Sequence, residues 1–167
     1  EATDYARIPA LVEQAWNWKG HVDGLVNNAG ISQRSLAVDT VFEVYEKIIG
    51  VDLLAPIALT QALLPHLDEA AANGGKATLL LVASVSGLRG FPQLAGYCAS
   101  KFAVVGLSEA LGAELREGAS PVVQEPLVAL DEYPVEAVIR RSLPVLVAEH
   151  PEVAAWFAPQ GGLLDPL

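Results

Sequence analysis

The chain has 167 residues, of which 52% are hydrophobic, and its formal net charge is −10. This length and apolar content allow one domain with a buried core, residues 1–167, and exclude a disordered chain. The acidic balance argues against nucleic acid as a partner, because nucleic acid requires clustered Lys and Arg. We find no apolar run as long as a membrane helix needs, and the single cysteine, Cys98, favours a reducing, cytoplasmic location.

The two ends of the first helix have recognisable signals. Thr3-Asp4 is followed by apolar residues at helical spacing, which predicts a helix from about residue 5 that Lys19-Gly20 closes. The run V-D-G-L-V at 22–26 predicts a short buried strand, and N-N-A-G follows it at residues 27–30. Two amides and two minimal side chains suit the close approach of a flat ligand, but they also make an ordinary turn. Local evidence leaves both interpretations open.

The middle of the chain predicts two helices and a strand. After a loop at 31–38, a helix starts at Asp39-Thr40, and we expect Gly50 to interrupt it before a second helix over residues 52–71. Asn73-Gly74-Gly75 then stops the helical pattern. The apolar run at 77–83 is a buried strand by its length.

A loop at 85–93 and a long helix at 94–117 complete an alternation of strands and helices, which predicts an α/β fold with a parallel sheet. One side of the long helix is rich in small residues, and the sequence leaves open whether it packs within the chain or against a second copy. Beyond Gly118, residues 122–130 could form a strand, but Pro126 cannot donate to a sheet. A helix is predicted to begin at Pro134, and the last fifteen residues are predicted to be a loop.

Three polar side chains follow the strand at 77–83 with a fixed spacing. Ser84 ends the strand, Tyr97 follows thirteen positions later, and Lys101 follows Tyr97 by four. On a helix, that last spacing places the phenol and the ammonium on one face, one turn apart. An ammonium beside a phenol favours the phenolate form, so the pair can act as a general acid and base. A nearby hydroxyl could hold a carbonyl or alcohol oxygen against it.

In the order and spacing of these motifs, the chain resembles the short-chain dehydrogenase/reductase superfamily, over roughly residues 1–117. The resemblance implies a doubly wound Rossmann sheet that binds NAD or NADP. It implies that Tyr97 is the general acid/base, that Lys101 supports it and holds the nicotinamide ribose, and that Ser84 binds the substrate oxygen. Asn27, Asn28, Ala29 and Gly30 would line the adenine side of the cofactor.

The chain departs from the family pattern at two places. Asp52 stands where the family usually has an asparagine, and we expect its carboxylate to pair with Lys101 and weaken the pull of Lys101 on Tyr97. The expected result is slower proton transfer or a shifted pH optimum. The glycine-rich turn that seats the cofactor pyrophosphate has no counterpart. Since the chain has no methionine and begins with Glu1, we expect a piece of a longer protein, a partial Rossmann-type sheet lacking its first three strands.

Three functions therefore remain. The first is an NAD(P)-dependent oxidoreductase that interconverts a small ketone or aldehyde and an alcohol. The second is a non-enzymatic remnant that associates through the helices 52–71 and 94–117 but cannot bind the dinucleotide. The third is epimerisation or dehydration by the extended branch of the superfamily, against which N-N-A-G argues. We predict no metal site, because His21, His66 and His150 have no second ligand at metal spacing, and we expect Cys98 to be an inert thiol.

Overall fold

The structure, a computed structural model, describes residues 3–75, 77–118, 120 and 122–127. These residues belong to one compact unit, Glu1–Val128. The predicted helix at Pro134 and the loop after it lie outside the described residues, and the single domain over 1–167 stays a prediction. The elements are, in chain order, α1 (Ile8–Lys19), β1 (Gly24–Asn27), α2 (Phe42–Ile49), α3 (Ala55–Ala72), β2 (Ala77–Val82), α4 (Ala95–Glu117) and β3 (Val122–Leu127).

The described strands form a parallel sheet in the order β1-β2-β3. Gly24 of β1 pairs with Thr78 of β2, and Ala77 of β2 pairs with Val122 of β3. The α/β prediction with a parallel sheet is confirmed. The sequence left β3 in doubt because of Pro126, yet Pro126 pairs in register with Leu81. In the described sheet β3 has a neighbour on one side only, and such an edge strand can accommodate a proline.

The core lies between the sheet and the helices that cover it. Leu79 and Leu81 of β2 are fully buried against Leu67 of α3 and Val104 of α4. The prediction of a buried first strand is only half correct, because burial alternates along β1 and Val26 is 55% exposed. Successive residues of a strand point to opposite faces, and Val26 lines an open cleft that residues of α1 and α3 also border.

The predicted break at Gly50 is wrong. A π-helical turn, Gly50–Leu54, joins α2 to α3, so that helical backbone continues from Phe42 to Ala72. A Cβ on Gly50 would lie 3.1 Å from both Thr3 and the Tyr5 hydroxyl, and this hydroxyl donates to the Gly50 carbonyl at 3.0 Å. The small side chain at this position therefore allows the N-terminal segment to pack closely against the helix, and the helix does not end there.

The segment Phe42–Ala72 is long and apolar enough, by length and composition alone, to cross a membrane. However, Leu63 and Leu67 on this segment are buried in the core against the sheet. A core helix of a globular domain satisfies the same criterion of length and composition, so the criterion alone does not indicate a membrane span.

The predicted helix ends agree with the structure. Gly20 closes α1 in the left-handed region at φ 77°, where its N–H donates to the Trp16 carbonyl at 2.7 Å. Gly74 takes φ 86° after the end of α3. Glycine adopts this conformation without steric cost, which is why both positions were readable from the sequence.

Candidate active site

Ser84 lies two residues beyond the end of β2, and the turn that follows fixes its side chain. Its Oγ accepts a hydrogen bond from the backbone N–H of Ser86 at 3.1 Å, at the start of a 3-10 turn over Val85–Gly87. Because the oxygen accepts this bond, the hydroxyl proton points elsewhere and stays available to another acceptor. Ser84 is only partly buried. It is therefore a hydrogen-bond donor at the carboxyl edge of a parallel sheet, where such folds bind ligands.

Tyr97 and Lys101 lie in the first two turns of α4. The Lys101 Nζ lies 5.6 Å from the centre of the Tyr97 ring, as the spacing of four predicts. Lys101 is 4% exposed, whereas Tyr97 is partly exposed. The ammonium donates to the Val82 carbonyl at 3.1 Å, which ties it to the end of β2 just before Ser84. Two of its three N–H groups remain for other acceptors.

Of the four residues of N-N-A-G, Asn27 is buried and the other three are exposed. Asn27 is buried, and its Nδ2 donates to the Thr60 hydroxyl of α3 at 2.9 Å. Asn28 and Ala29 line an open cleft of about 340 Å³ between α1, β1 and α3. A Cβ on Gly30 would lie 3.5 Å from the Lys101 Nζ and 3.6 Å from the Asp52 Oδ1, so the loop passes beside these two side chains. The structure therefore brings this motif together with the lysine.

Asp52, in the π-helical turn, is the most deeply buried acidic side chain among the described residues, at 1% exposure. Its Oδ1 accepts from the Ile31 N–H at 2.8 Å, and its Oδ2 lies 3.0 Å from the Ser100 hydroxyl. No hydrogen bond or ion pair joins Asp52 to Lys101, because both carboxyl oxygens face other partners and Lys101 donates to Val82. The expected weakening of the pull of Lys101 on Tyr97 stays a prediction. Asp52 and Lys101 interact through the coulombic attraction of their opposite charges, without a hydrogen bond between them.

Burial dominates the protonation equilibria of both groups. Desolvation raises the pKa of Asp52, although the bonds from Ile31 and Ser100 and the charge of Lys101 act against it. Desolvation likewise lowers the pKa of Lys101, and the Asp52 charge offsets part of this decrease. Both shifts favour the neutral forms. The site thus holds two buried titratable side chains, Asp52 and Lys101, beside the partly exposed phenol of Tyr97.

Two residues of the site were not predicted. Ser100 lies within the Y-C-A-S-K motif and is fully buried, and Thr60 follows Asp52 by eight residues on the same helical segment. Each is a buried hydroxyl that hydrogen-bonds to a buried carboxyl or amide, and such pairing of buried polar groups is the rule in folded proteins. The sequence does not show it, because the partners are 48 and 33 positions away.

The other reactive side chains lie in ordinary packing contacts. His66 stacks on Trp16 with 4.5 Å between ring centroids, and His21 lies 3.2 Å from the Asp23 carboxylate. Cys98 is buried, and its Sγ accepts from the Phe91 N–H at 3.3 Å. His150 lies outside the described residues. In the part of the chain that the structure describes, no three His, Cys, Asp or Glu side chains converge as metal ligands.

Comparison with known proteins identifies this arrangement. The family profile of the short chain dehydrogenases matches residues 1–123. The human protein "Dehydrogenase/reductase SDR family member 7" is 42% identical over 115 residues, which cover 69% of this chain and 33% of that protein. The chain therefore spans about a third of the length of this relative.

Solved structures show the same fold. The 3-ketoacyl-(acyl-carrier-protein) reductase from Brucella melitensis, complexed with NADH, superposes with a TM-score of 0.71 and 36% identity, over 77% of this chain and 54% of that one. ElxO with NADP bound gives 0.69 and 25% identity, over 77% and 50%. The resemblance and the partial Rossmann-type fold are confirmed by the profile, the sequence relative and the structures together. The chain belongs to the short-chain dehydrogenase/reductase family.

Proposed function

We propose that the protein of which this chain forms part is an NAD(P)-dependent oxidoreductase that interconverts a small ketone or aldehyde and the corresponding alcohol. The observation that carries the proposal is the buried Lys101 ammonium beside the Tyr97 ring, at the end of the strand that leads to Ser84. Family membership supports it, and so does the NADH complex of the Brucella melitensis reductase.

Tyr97 acts as the general acid and base. Its hydroxyl passes a proton to the substrate oxygen during reduction and takes it back during oxidation. Lys101 favours the phenolate through its positive charge, and the two N–H groups that it does not use on Val82 are available to cofactor and tyrosine oxygens. The buried position of Lys101 strengthens these interactions, because there is little water around it to screen them.

Ser84 orients the substrate. With its oxygen occupied by the Ser86 N–H, the Ser84 hydroxyl donates to the substrate oxygen and does not compete for the Tyr97 proton. This places two donors, one serine and one tyrosine, on the same oxygen, which develops negative charge as a carbonyl is reduced.

The residues present fit part of a dinucleotide site. Gly30 leaves room for close approach beside Lys101, and Asn28 and Ala29 border the cleft next to β1. NAD or NADP, which supplies or accepts the hydride, would be held by Asn27, Asn28, Ala29 and Gly30 together with Tyr97 and Lys101.

The proposal also includes a homo-oligomer. One side of α4 is exposed and carries the small residues Ala99, Gly106 and Ala110, so a second helix can approach it closely.

Replacement of the phenol hydroxyl tests the catalytic role. We expect Tyr97→Phe to lower kcat for carbonyl reduction by about 10²–10⁴-fold, because this is the usual contribution of a positioned general acid. Tyr45→Phe is the matched control: it removes the same atom from a partly buried tyrosine that packs against Gly96 of α4, and kcat should remain near wild type. Equal activity of Tyr97→Phe and wild type would overturn the assignment.

The alternative, a non-enzymatic remnant, is tested by cofactor binding. Titration with NADH, followed by nicotinamide fluorescence, should give saturable binding at micromolar concentration if the chain takes part in a dinucleotide site. Gly30→Val should weaken this binding, because the added side chain would occupy the space beside Lys101. Absence of NADH and NADPH binding by the wild-type protein would favour the remnant and contradict the oxidoreductase.

A further inference from the structure

The hydroxyl of Ser100 faces two oxygen atoms but carries one proton. Its Oγ lies 3.0 Å from the Asp52 Oδ2 and 2.8 Å from the backbone carbonyl of Tyr97. A serine can donate to only one of them. If Asp52 were ionised, one of the two contacts would join two lone pairs, at a position where Ser100 and Asp52 are both out of contact with water. Such an unmatched contact is costly at low dielectric.

The other carboxyl oxygen decides where a missing proton can reside. Oδ1 of Asp52 already accepts from the Ile31 N–H at 2.8 Å, so a proton on Oδ1 would oppose a donor. A proton on Oδ2 would meet the lone pair of the Ser100 oxygen and release the serine proton to the Tyr97 carbonyl. With this one proton added, each contact of the chain Asp52–Ser100–Tyr97 has one donor and one acceptor.

We propose that Asp52 is a neutral carboxylic acid in the folded protein at neutral pH, and that its Oδ2–H donates to Ser100 while Ser100 donates to the Tyr97 carbonyl. Asp52 is then a positioning residue. It fastens Ile31, the residue after N-N-A-G, to the turn of α4 that carries Tyr97 and Lys101. The inference rests on hydrogen-bond geometry and is independent of the oxidoreductase activity.

The charged surroundings of Asp52 are limited in the described part of the chain. The charged group that acts on Asp52 from α4 is Lys101. The group that contacts Asp52 from the loop after β1 is the uncharged backbone N–H of Ile31. Lys101 favours an ionised carboxyl, but it donates to Val82 and makes no hydrogen bond to Asp52. Burial outweighs these contributions and raises the pKa of the carboxyl, in agreement with the geometry.

The protonation state can be observed directly. In protein labelled with ¹³C-carboxyl aspartate, the Asp52 signal at neutral pH should have the chemical shift of a carboxylic acid, and it should be identified by its loss in Asp52→Asn. Asp39→Asn is the matched control, since it removes an exposed carboxyl and should leave the acid signal in place. An Asp52 signal at the carboxylate position at neutral pH would overturn the proposal.

Stability against pH gives a second readout. A carboxyl whose pKa is raised by folding stabilises the native state fully below its unfolded pKa and loses this contribution as pH rises through its folded pKa. Between about pH 5 and pH 7, the unfolding constant of wild type should therefore rise about tenfold per pH unit relative to Asp52→Asn. The asparagine amide can donate to Ser100 as the acid does, so it should be at least as stable as wild type at neutral pH. A pH-independent ratio, or a less stable asparagine variant, would contradict the proposal.

Discussion

Gly87 offers a sharp test of how the Ser84 turn is held against α4. A Cβ at this position would lie 2.7 Å from the Lys101 carbonyl oxygen and 3.0 Å from both the Lys101 carbonyl carbon and a methyl group of Val105. Gly87 does not have a positive φ, so an alanine would meet no backbone strain. The effect of Gly87→Ala is therefore purely steric. Because the closest atoms belong to the backbone of a long helix, they cannot move aside cheaply.

The magnitude follows from this overlap. Overpacking of a tight contact costs about 1–3 kcal/mol. Alanine recovers about 0.4–1 kcal/mol, because it restricts the unfolded chain more than glycine does. We therefore expect Gly87→Ala to lower the free energy of unfolding by about 1–2 kcal/mol, which corresponds to a decrease of about 2–8 °C in Tm for a chain of this size. Displacement of the turn by about 1 Å would also lower kcat/KM by about 10²-fold, since Ser84 begins the turn.

Denaturant unfolding measures the change in the free energy of unfolding. The m-value should be the same for wild type and variant, which shows that the substitution does not change the compactness of the folded or unfolded state. Gly106→Ala is the control, because Gly106 lies in α4 with no atom within 4 Å of its added Cβ. It should stabilise the protein by about 0.5–1 kcal/mol, the ordinary gain of alanine over glycine inside a helix. If Gly87→Ala were as stable as Gly106→Ala, the close contact between the turn and Lys101 would be refuted.

Two further predictions concern the loops around the site. Asn27→Ala removes the donor to the buried Thr60 hydroxyl, and we expect a loss of about 1–3 kcal/mol in unfolding free energy; an equally stable Asn27→Ala would show that the pair contributes nothing. Gln93 has a φ of 67°, and its carbonyl accepts from the Ser35 N–H at 3.1 Å. Gln93→Gly should be at least as stable as wild type, because it relieves about 1–2 kcal/mol of left-handed strain; thermal unfolding measures this, and a destabilised variant would contradict it.

Local signals of the sequence were sufficient for much of the fold. The caps at Gly20 and Gly74, the apolar run of β2 and the length of α4 were all readable, because each depends on residues that are neighbours along the chain. The spacing of Tyr97 and Lys101 was readable for the same reason, since four positions on a helix fix a face. The catalytic roles of these residues stay predictions.

Signals that depend on distant partners were misread. The local sequence around Gly50 predicts a helix break, but the missing Cβ of Gly50 makes room for Thr3 and Tyr5, 47 and 45 positions earlier in the chain. Pro126 counted against a strand, although the edge position of β3 in the described sheet accommodates it. In both cases the position of the residue in the folded chain, and not its local propensity, decides whether it is accepted.

The sequence by itself determined the family, the order of helices and strands and the candidate set Ser84, Tyr97 and Lys101, because motif spacing and hydrophobic period are properties of the chain alone. Only the tertiary structure decided what Asp52 does. Its identity indicated a partner for Lys101, but the folded chain directs its two oxygens to Ile31 and Ser100, 21 and 48 positions away. The physical reason is that a buried carboxyl is governed by the donors that folding places around it, and neither its charge nor its position in a motif specifies those donors.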